Sequence, residues 1–412
     1  MAVDPGLRQP TSRERPRDAA ARDAKSRTGT AIEPAHVHAA SADPTVRVPA
    51  VGSDTMRAAQ LTDDKLTADE ARTPPAGDAG MVSAPTTMLD GKKLLIASKV
   101  FAREHRGQSW WYLISTLAVL GGLLAIVCWG GLSLVVRVPA SLLAGLVLVR
   151  LFIIYHDFEH GTILRKSKPA AAIMWLYGIF ALNPPSIWNR SHNHHHKNNA
   201  KILGASIGSY PVITTTAYAR ATPGERRVYA ISRHPLTIGL GYLTIFLYGM
   251  CWRSLMKNPR EHFDSAISIV AHFLLIAGLG YWAGWDVALL AVVLPCAIGS
   301  AMGSYLFYAQ HNYPSVKLRP RAEWDYVFAA LYSSSYIRMS PLMHWFTGNI
   351  GYHHVHHLNA RIPFYRLPEA MAALEELRTP GTTSLTPADV YRCLQLKLWD
   401  NDQDRMVSFS GK

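Results

Sequence analysis

The sequence predicts an all-α integral membrane protein: four transmembrane helices in two hairpins, with interfacial helices and a histidine-rich, metal-binding cap. Two patterns predict it. Four mostly apolar stretches at 110–130, 134–155, 266–284 and 287–309 have the length of about 20 residues that crosses a bilayer core. Outside them, ten of the chain's 18 histidines crowd into three short windows, HDFEH, HNHHH and HHVHH.

Taken in order, residues 1–92 are rich in Ala, Pro, Thr, Asp and Arg and show no apolar periodicity. Such a segment cannot bury enough apolar surface to offset its ordering entropy, so a disordered cytosolic tail is expected. Its acids (Asp4, Glu14, Asp18, Asp23) and its lack of an apolar core argue against a transit peptide or a secretory signal. Residues 93–412 are expected to form one membrane domain. The formal charge of +13 does not imply nucleic acid. Lys and Arg flank apolar segments rather than forming a basic stripe among aromatics, a distribution that suits anionic lipid headgroups. Cys128, Cys251, Cys296 and Cys393 are scattered without CxxC spacing, which excludes a disulfide framework and a zinc ribbon.

The first two spans turn near Gly130–Pro139, and the last two near Gly284–Trp285–Asp286. Both turns are poor in charge. Between the pairs, the apolar stretch 171–188 meets Asn183–Pro184–Pro185, which stops a helix, so a half-buried interfacial helix is expected there. A further stretch, LTIGLGYLTIFLYGMCW at 236–252, is short and basic on both flanks: Arg226, Arg227 and Arg233 precede it, and Arg253, Lys257 and Arg260 follow. Positive residues mark the cytoplasmic side, so this stretch is read as an interfacial helix. With four crossings, all three histidine windows and both termini then face the cytosol.

On a helix, positions i, i+3 and i+4 share a face. His156 and His160 form an i, i+4 pair just past the second span. His192, His195 and His196 form an H-x-x-H-H set, as do His353, His356 and His357. Each trio is expected to project three imidazoles from one helical face. Eight nitrogen donors are too many for one ion and suit two. A structural zinc site would normally draw on cysteine, and the windows contain none. Imidazole also suits iron and copper.

In order and spacing, the windows resemble the three histidine boxes of the membrane fatty acid desaturase family. FYAQHNYP (307–314), EWDYVFAALYSSSY (323–336) and GNIGYHHVHHLNARIPFYRLPEA (348–370) are similar to the branch of Δ12 or ω-6 type, and the resemblance runs over roughly 95–405. It implies two Fe2+ ions held by the eight box histidines, with His311 as a further ligand from outside the boxes. His194 and His354 fall on variable box positions, as neighbours of the ligands or as solvated residues. Asp157 and Glu159, inside the first box, either orient ligand imidazoles through the other ring nitrogen or are solvated. His105, His234, His262, His272 and His344 stand alone.

The resemblance further implies an O2-dependent reaction that places a cis double bond in an acyl chain carried by lipid, CoA or carrier protein. The chain would lie in an apolar tunnel near the ends of 144–155 and 300–310. Electrons would come from an external donor such as ferredoxin or cytochrome b5, since no flavin, haem or iron–sulfur motif is present. An acyl or carotenoid hydroxylase of the same superfamily is the alternative. A histidine-rich metal transporter is more remote, because it would carry ionisable residues inside its spans, and these hold little beyond Arg150 and His272.

Overall fold

The computed structural model describes residues 91–202 and 209–411. The tail expected over 1–92 lies, up to residue 90, outside the described residues. After a short helix α1 (Gly91–Ser98), the first hairpin is formed by α2 (Arg106–Cys128) and α3 (Leu134–Glu159). Next come α4 (Lys168–Phe180), α5 (Pro185–Asn198) and α6 (Pro223–Ser232). The second hairpin is α7 (Phe263–Trp282) and α8 (Trp285–Ala309). Among the described residues, α2, α3, α7 and α8 are the four helices long and apolar enough to cross a membrane. Large apolar side chains such as Val135, Leu274 and Leu289 stand exposed on them, as a lipid-facing surface requires. Trp111, Trp129, Tyr281, Trp282 and Trp285 mark helix ends, where amphipathic rings settle at the membrane–water interface.

α3 is the central helix, packed between α2 and α8. Its crossing with α8 is close because both partners present glycine. A Cβ at Gly145 would sit 2.9 Å from Pro295 O, and one at Gly299 would sit 3.1 Å from Gly145 O. At the hairpin turns, Arg137 donates to Val127 O (2.7 Å) and pairs with Asp286 (2.7 Å), tying one hairpin to the other. α8 reaches Pro295 through a π-helical turn at Leu289–Val293, a local widening that accommodates the ring within a helix.

The stretch expected at 171–188 is divided in two. α4 is capped by the Ser167 hydroxyl, which accepts from Ala170 N–H, and it ends at Phe180. α5 starts with Pro185 at its first position, where a missing N–H costs nothing, and leaves α4 at 90°. Two contacts hold the bend. Tyr155 OH donates to Asn183 O (3.0 Å), and Asp264, in the first turn of α7, accepts from Ser186 N–H and Oγ–H (2.9 and 2.6 Å). The corner therefore aims α5, which carries the second histidine window, back over the end of α3.

The segment expected as one helix over 236–252 begins with a turn at Pro235–Gly239 and continues as a π-helix, Tyr242–Trp252. It packs on α7 and α8. Gly241 makes this approach possible, since a Cβ there would meet Ser304 Oγ at 2.1 Å. Arg233, counted above among its flanking cations, does not face headgroups. It is fully buried and donates to Pro211 O (2.6 Å), Leu396 O (3.2 Å) and Asn312 Oδ1. The chain folds back over Arg233 because these acceptors come from three distant segments that a single guanidinium can satisfy.

The remaining described residues cover the same end of the bundle. They include α9 (Tyr326–Tyr332), α10 (His353–Leu358), α11 (Pro387–Gln395) and two small sheets. β1 (Tyr336–Arg338) pairs in parallel with β2 (Thr382–Ser384), and β3 (Leu398–Asp400) pairs antiparallel with β4 (Arg405–Val407). α10 has only six residues, too few for an isolated helix. Packing against α9 and a bond from Tyr326 OH to His357 O (2.6 Å) hold it in place.

Candidate metal centre

Four elements bring nine imidazoles together. α3 supplies His156 in its last turn and His160 just beyond. α5 supplies His192, His195 and His196, the turn just past the C-cap Gln310 of α8 supplies His311, and α10 supplies His353, His356 and His357. They sort into two sets, each with ligand atoms within 4.8 Å of one another: His156, His160, His192, His196 and His356 in one, and His195, His311, His353 and His357 in the other. The trios do not act as single faces. At about 100° per residue, His195 and His196 point too far apart to share one ion. Each helix gives its i, i+4 pair to one set and its remaining histidine to the other, so α5 and α10 both contribute to both.

The spacing fits metal coordination. Nε2 atoms lie 3.0 Å apart between His192 and His160, 3.1 Å between His196 and His192, and 3.0 Å between His356 and His196. In the second set they lie 3.2 Å apart between His195 and His357, 3.0 Å between His357 and His353, and 2.9 Å between His353 and His311. Two nitrogens about 2.1 Å from a shared ion and at right angles to each other are about 3.0 Å apart. Hydrogen bonding alone explains the pattern poorly, because His192, His196, His353 and His357 each face two other ring nitrogens.

Burial disfavours imidazolium, and mutual repulsion adds to it. His192, His195, His196, His353, His356 and His357 are held well below the usual histidine range. Burial brings His311 down to about 4, partly opposed by its bond to the Ser333 carbonyl. The rings are therefore neutral at neutral pH, the form that binds metal.

The opposite ring nitrogen fixes the orientation of several of these rings. His156 Nδ1 faces Asp157 Oδ1 (3.0 Å), His195 Nδ1 faces Ser209 Oγ (2.7 Å), and His311 Nδ1–H donates to Ser333 O (3.0 Å). Asp157 also accepts from Phe364 N–H at 2.7 Å. Glu159 instead accepts from Asn189 Nδ2 (2.6 Å), bracing α3 against α5. His354 turns away to Leu377 O (3.1 Å), and His194 belongs to neither set. Trp188 stacks on His192 with centroids 4.4 Å apart. Ser209, Ser333 and Phe364 escaped the sequence reading because they act through one hydroxyl, one carbonyl and one amide, which leave no spacing pattern. Of the isolated histidines, His262 Nδ1 meets Ser186 Oγ at 2.9 Å and His272 Nε2 meets Tyr242 OH at 2.5 Å, both packing roles at helix contacts.

A cavity of about 810 Å³ reaches His156, His192 and His353. Its walls are mainly apolar. Leu148, Val149 and Phe152 come from α3, Leu306 and Phe307 from α8, and Ile245 and Phe246 from the π-helix. Glu225, Arg253 and Lys257 also line it.

Comparison with known proteins gives a consistent result. The family profile described as "Fatty acid desaturase" matches residues 132–385, more than half of the chain. A "Fatty acid desaturase" of Bacillus subtilis (strain 168) is 28% identical over 320 residues, covering 77% of this chain and 90% of the relative. An "sn-1 oleoyl-lipid 12-desaturase" of Picosynechococcus is 24% identical over 271 residues, 64% of this chain and 75% of the relative. An "sn-1 acyl-lipid omega-3 desaturase (ferredoxin)" of Nostoc is 25% identical over 255 residues, 57% of this chain and 66% of the relative.

Proposed function

The chain belongs to the fatty acid desaturase family, and on that premise we propose that it inserts a cis double bond into a lipid-bound acyl chain, at the Δ12 or ω-6 position, using O2. The observation that carries this reading is the placement of two sets of imidazoles against a mainly apolar cavity of about 810 Å³, which reaches His156, His192 and His353. The segments around His311 and His353–His357 support the regiochemical branch, together with the name of the Picosynechococcus relative.

Two irons would be held by His156, His160, His192, His196 and His356 on one side and by His195, His311, His353 and His357 on the other. When bound, they supply the reductive activation of O2 that breaking an unactivated C–H bond requires. The rest is the work of the chain's own residues. Leu148, Phe152 and Phe307 hold the acyl chain by apolar contact and keep water from the reacting carbons. Arg253 and Lys257 receive an anionic headgroup at the cavity rim. Asp157, Ser209 and the Ser333 carbonyl fix the rings of His156, His195 and His311, so the imidazoles need not reorganise. One hydrogen leaves each of two adjacent carbons, and O2 ends as water with the help of two electrons from a separate carrier. The ferredoxin in the name of the Nostoc relative makes ferredoxin the first donor to try, with cytochrome b5 the second. The flanking cations other than the buried Arg233, namely Arg226, Arg227, Arg253, Lys257 and Arg260, support a cytosolic position for the histidine cap.

The deciding experiment is a fatty acid profile from a desaturase-deficient host expressing the chain. A new cis double bond at the twelfth carbon or the ω-6 position is expected. A hydroxylated acid without a new double bond would overturn the reading.

A further inference from the structure

We propose that Gly303 sets the length of acyl chain that the cavity accepts, an inference that rests on the desaturase reading above. From His311, α8 presents Phe307, Gly303 and Gly299 at successive steps of four residues, and all three line the cavity. A helix rises about 1.5 Å per residue, so Gly303 lies about 12 Å along the axis from the ligand histidine.

Three glycines meet in this region, and two have a packing reason. Gly299 touches α3, where a Cβ would stand 3.1 Å from Gly145 O, and Gly241 touches α8, where a Cβ would meet Ser304 Oγ at 2.1 Å. A Cβ at Gly303 meets nothing within 4 Å. Glycine inside a helix is unfavourable relative to alanine, and no neighbouring helix requires it here. What it leaves open is cavity. Past the Phe307 ring, which sits 5.0 Å from His195 and 6.1 Å from His311 between centroids, the wall recedes on this side by one side chain. Acyl carbons beyond the reacting pair pass Gly303 on the way to Gly299 and Cys296. A side chain at 303 would occupy their path and discriminate against long chains, while the metal ligands stay in place.

The test is a graded series, Gly303→Ala, Gly303→Val and Gly303→Leu, in the full chain, expressed in a desaturase-deficient host supplied with acyl chains of rising length. Gly122→Leu is the control, because Gly122 also has open space before it but does not line the cavity. The ratio of long to short unsaturated products should fall stepwise, by about tenfold at leucine, the scale of a filled apolar subsite. Iron content should stay at the wild-type level, and Gly122→Leu should match wild type throughout. A leucine variant with normal iron and an unchanged product ratio overturns the proposal. If leucine costs the fold or the iron, a flat ratio across alanine and valine overturns it instead. Should the wild type hold iron yet make no unsaturated product, the desaturase reading fails. The cavity is then tested alone by displacing a fluorescent fatty acid with acyl ligands of rising length: loss of long-chain preference in Gly303→Leu supports the role of Gly303, and its retention refutes it.

Discussion

Asp157→Asn isolates how the chain prepares a ligand before any metal arrives. The carboxylate has two acceptor oxygens and uses both: Oδ1 faces His156 Nδ1 at 3.0 Å, and Oδ2 accepts from Phe364 N–H at 2.7 Å. Asparagine has one acceptor oxygen and one amide donor. If its oxygen keeps Phe364, its NH2 faces His156 Nδ1, which must then accept, moving the proton to the nitrogen aimed at the metal site. If its oxygen turns to His156, the NH2 opposes Phe364 N–H, leaving a buried donor unpaired at a cost of about 1–3 kcal/mol. The first outcome should weaken iron binding by about 10–100-fold, the usual scale for removing a partner of a ligating histidine. The second should lower Tm. The assay is chelator competition for Fe2+ on detergent-purified protein, paired with thermal unfolding of the same samples. Iron affinity and Tm both indistinguishable from wild type would refute the role assigned to Asp157.

Other expectations follow from the same geometry. His195→Ala and His356→Ala, one from each set, should each abolish activity and lower iron content while membrane insertion persists; full iron by elemental analysis would contradict the assignment. Burial holds His311 down to about 4, whereas an unfolded histidine titrates near 6.5. Its contribution to stability is therefore complete above pH 6.5 and declines as pH falls toward 4, in the same direction as that of the other buried rings of the two sets. Thermal unfolding of metal-free protein across that range should show this loss, and a flat profile would argue against it. Arg233→Met strands the acceptors Pro211 O and Asn312 Oδ1, while Leu396 O keeps Tyr308 OH and Asn312 Nδ2, and should cost about 3 kcal/mol, seen as a lower Tm and faster proteolysis. Gly241→Ala drives a methyl into Ser304 and should cost about 1–3 kcal/mol. Ser304→Ala in the same chain should recover part of that loss, since Ser300 O still crowds the site at 3.0 Å.

The four long helices were legible because a bilayer-length apolar run has little competition as an explanation, and their ends fall within a few residues of 110–130, 134–155, 266–284 and 287–309. All nine histidines gathered in the two sets were nameable beforehand, although His311 came only through resemblance to the family. How the histidines divide was not legible. Spacing along one helix shows which rings share a face, but the partition depends on where α10 lies relative to α5, and that is set by contacts such as Tyr326 with His357. The corner between α4 and α5 was half legible: Asn183–Pro184–Pro185 announced a stop, while the 90° turn depends on Asp264, some 80 residues later in the chain. Arg233 misled because a cation beside an apolar run looks the same in sequence whether it meets headgroups or carbonyls.

The order in which the histidines occur along the chain bears on how the protein matures. One set closes between His156 and His356, and the other between His195 and His357. Neither can be completed until the last box has left the ribosome, by which point both hairpins have been made. Before then the first set offers four of its five histidines and the second only His195 and His311, so loading of the second ion is a step that follows synthesis. Once in place, each ion would act as a clasp joining distant parts of the polypeptide, and its binding energy would become folding energy. Iron supply would then govern how much of this protein a cell accumulates, as well as how fast each copy works.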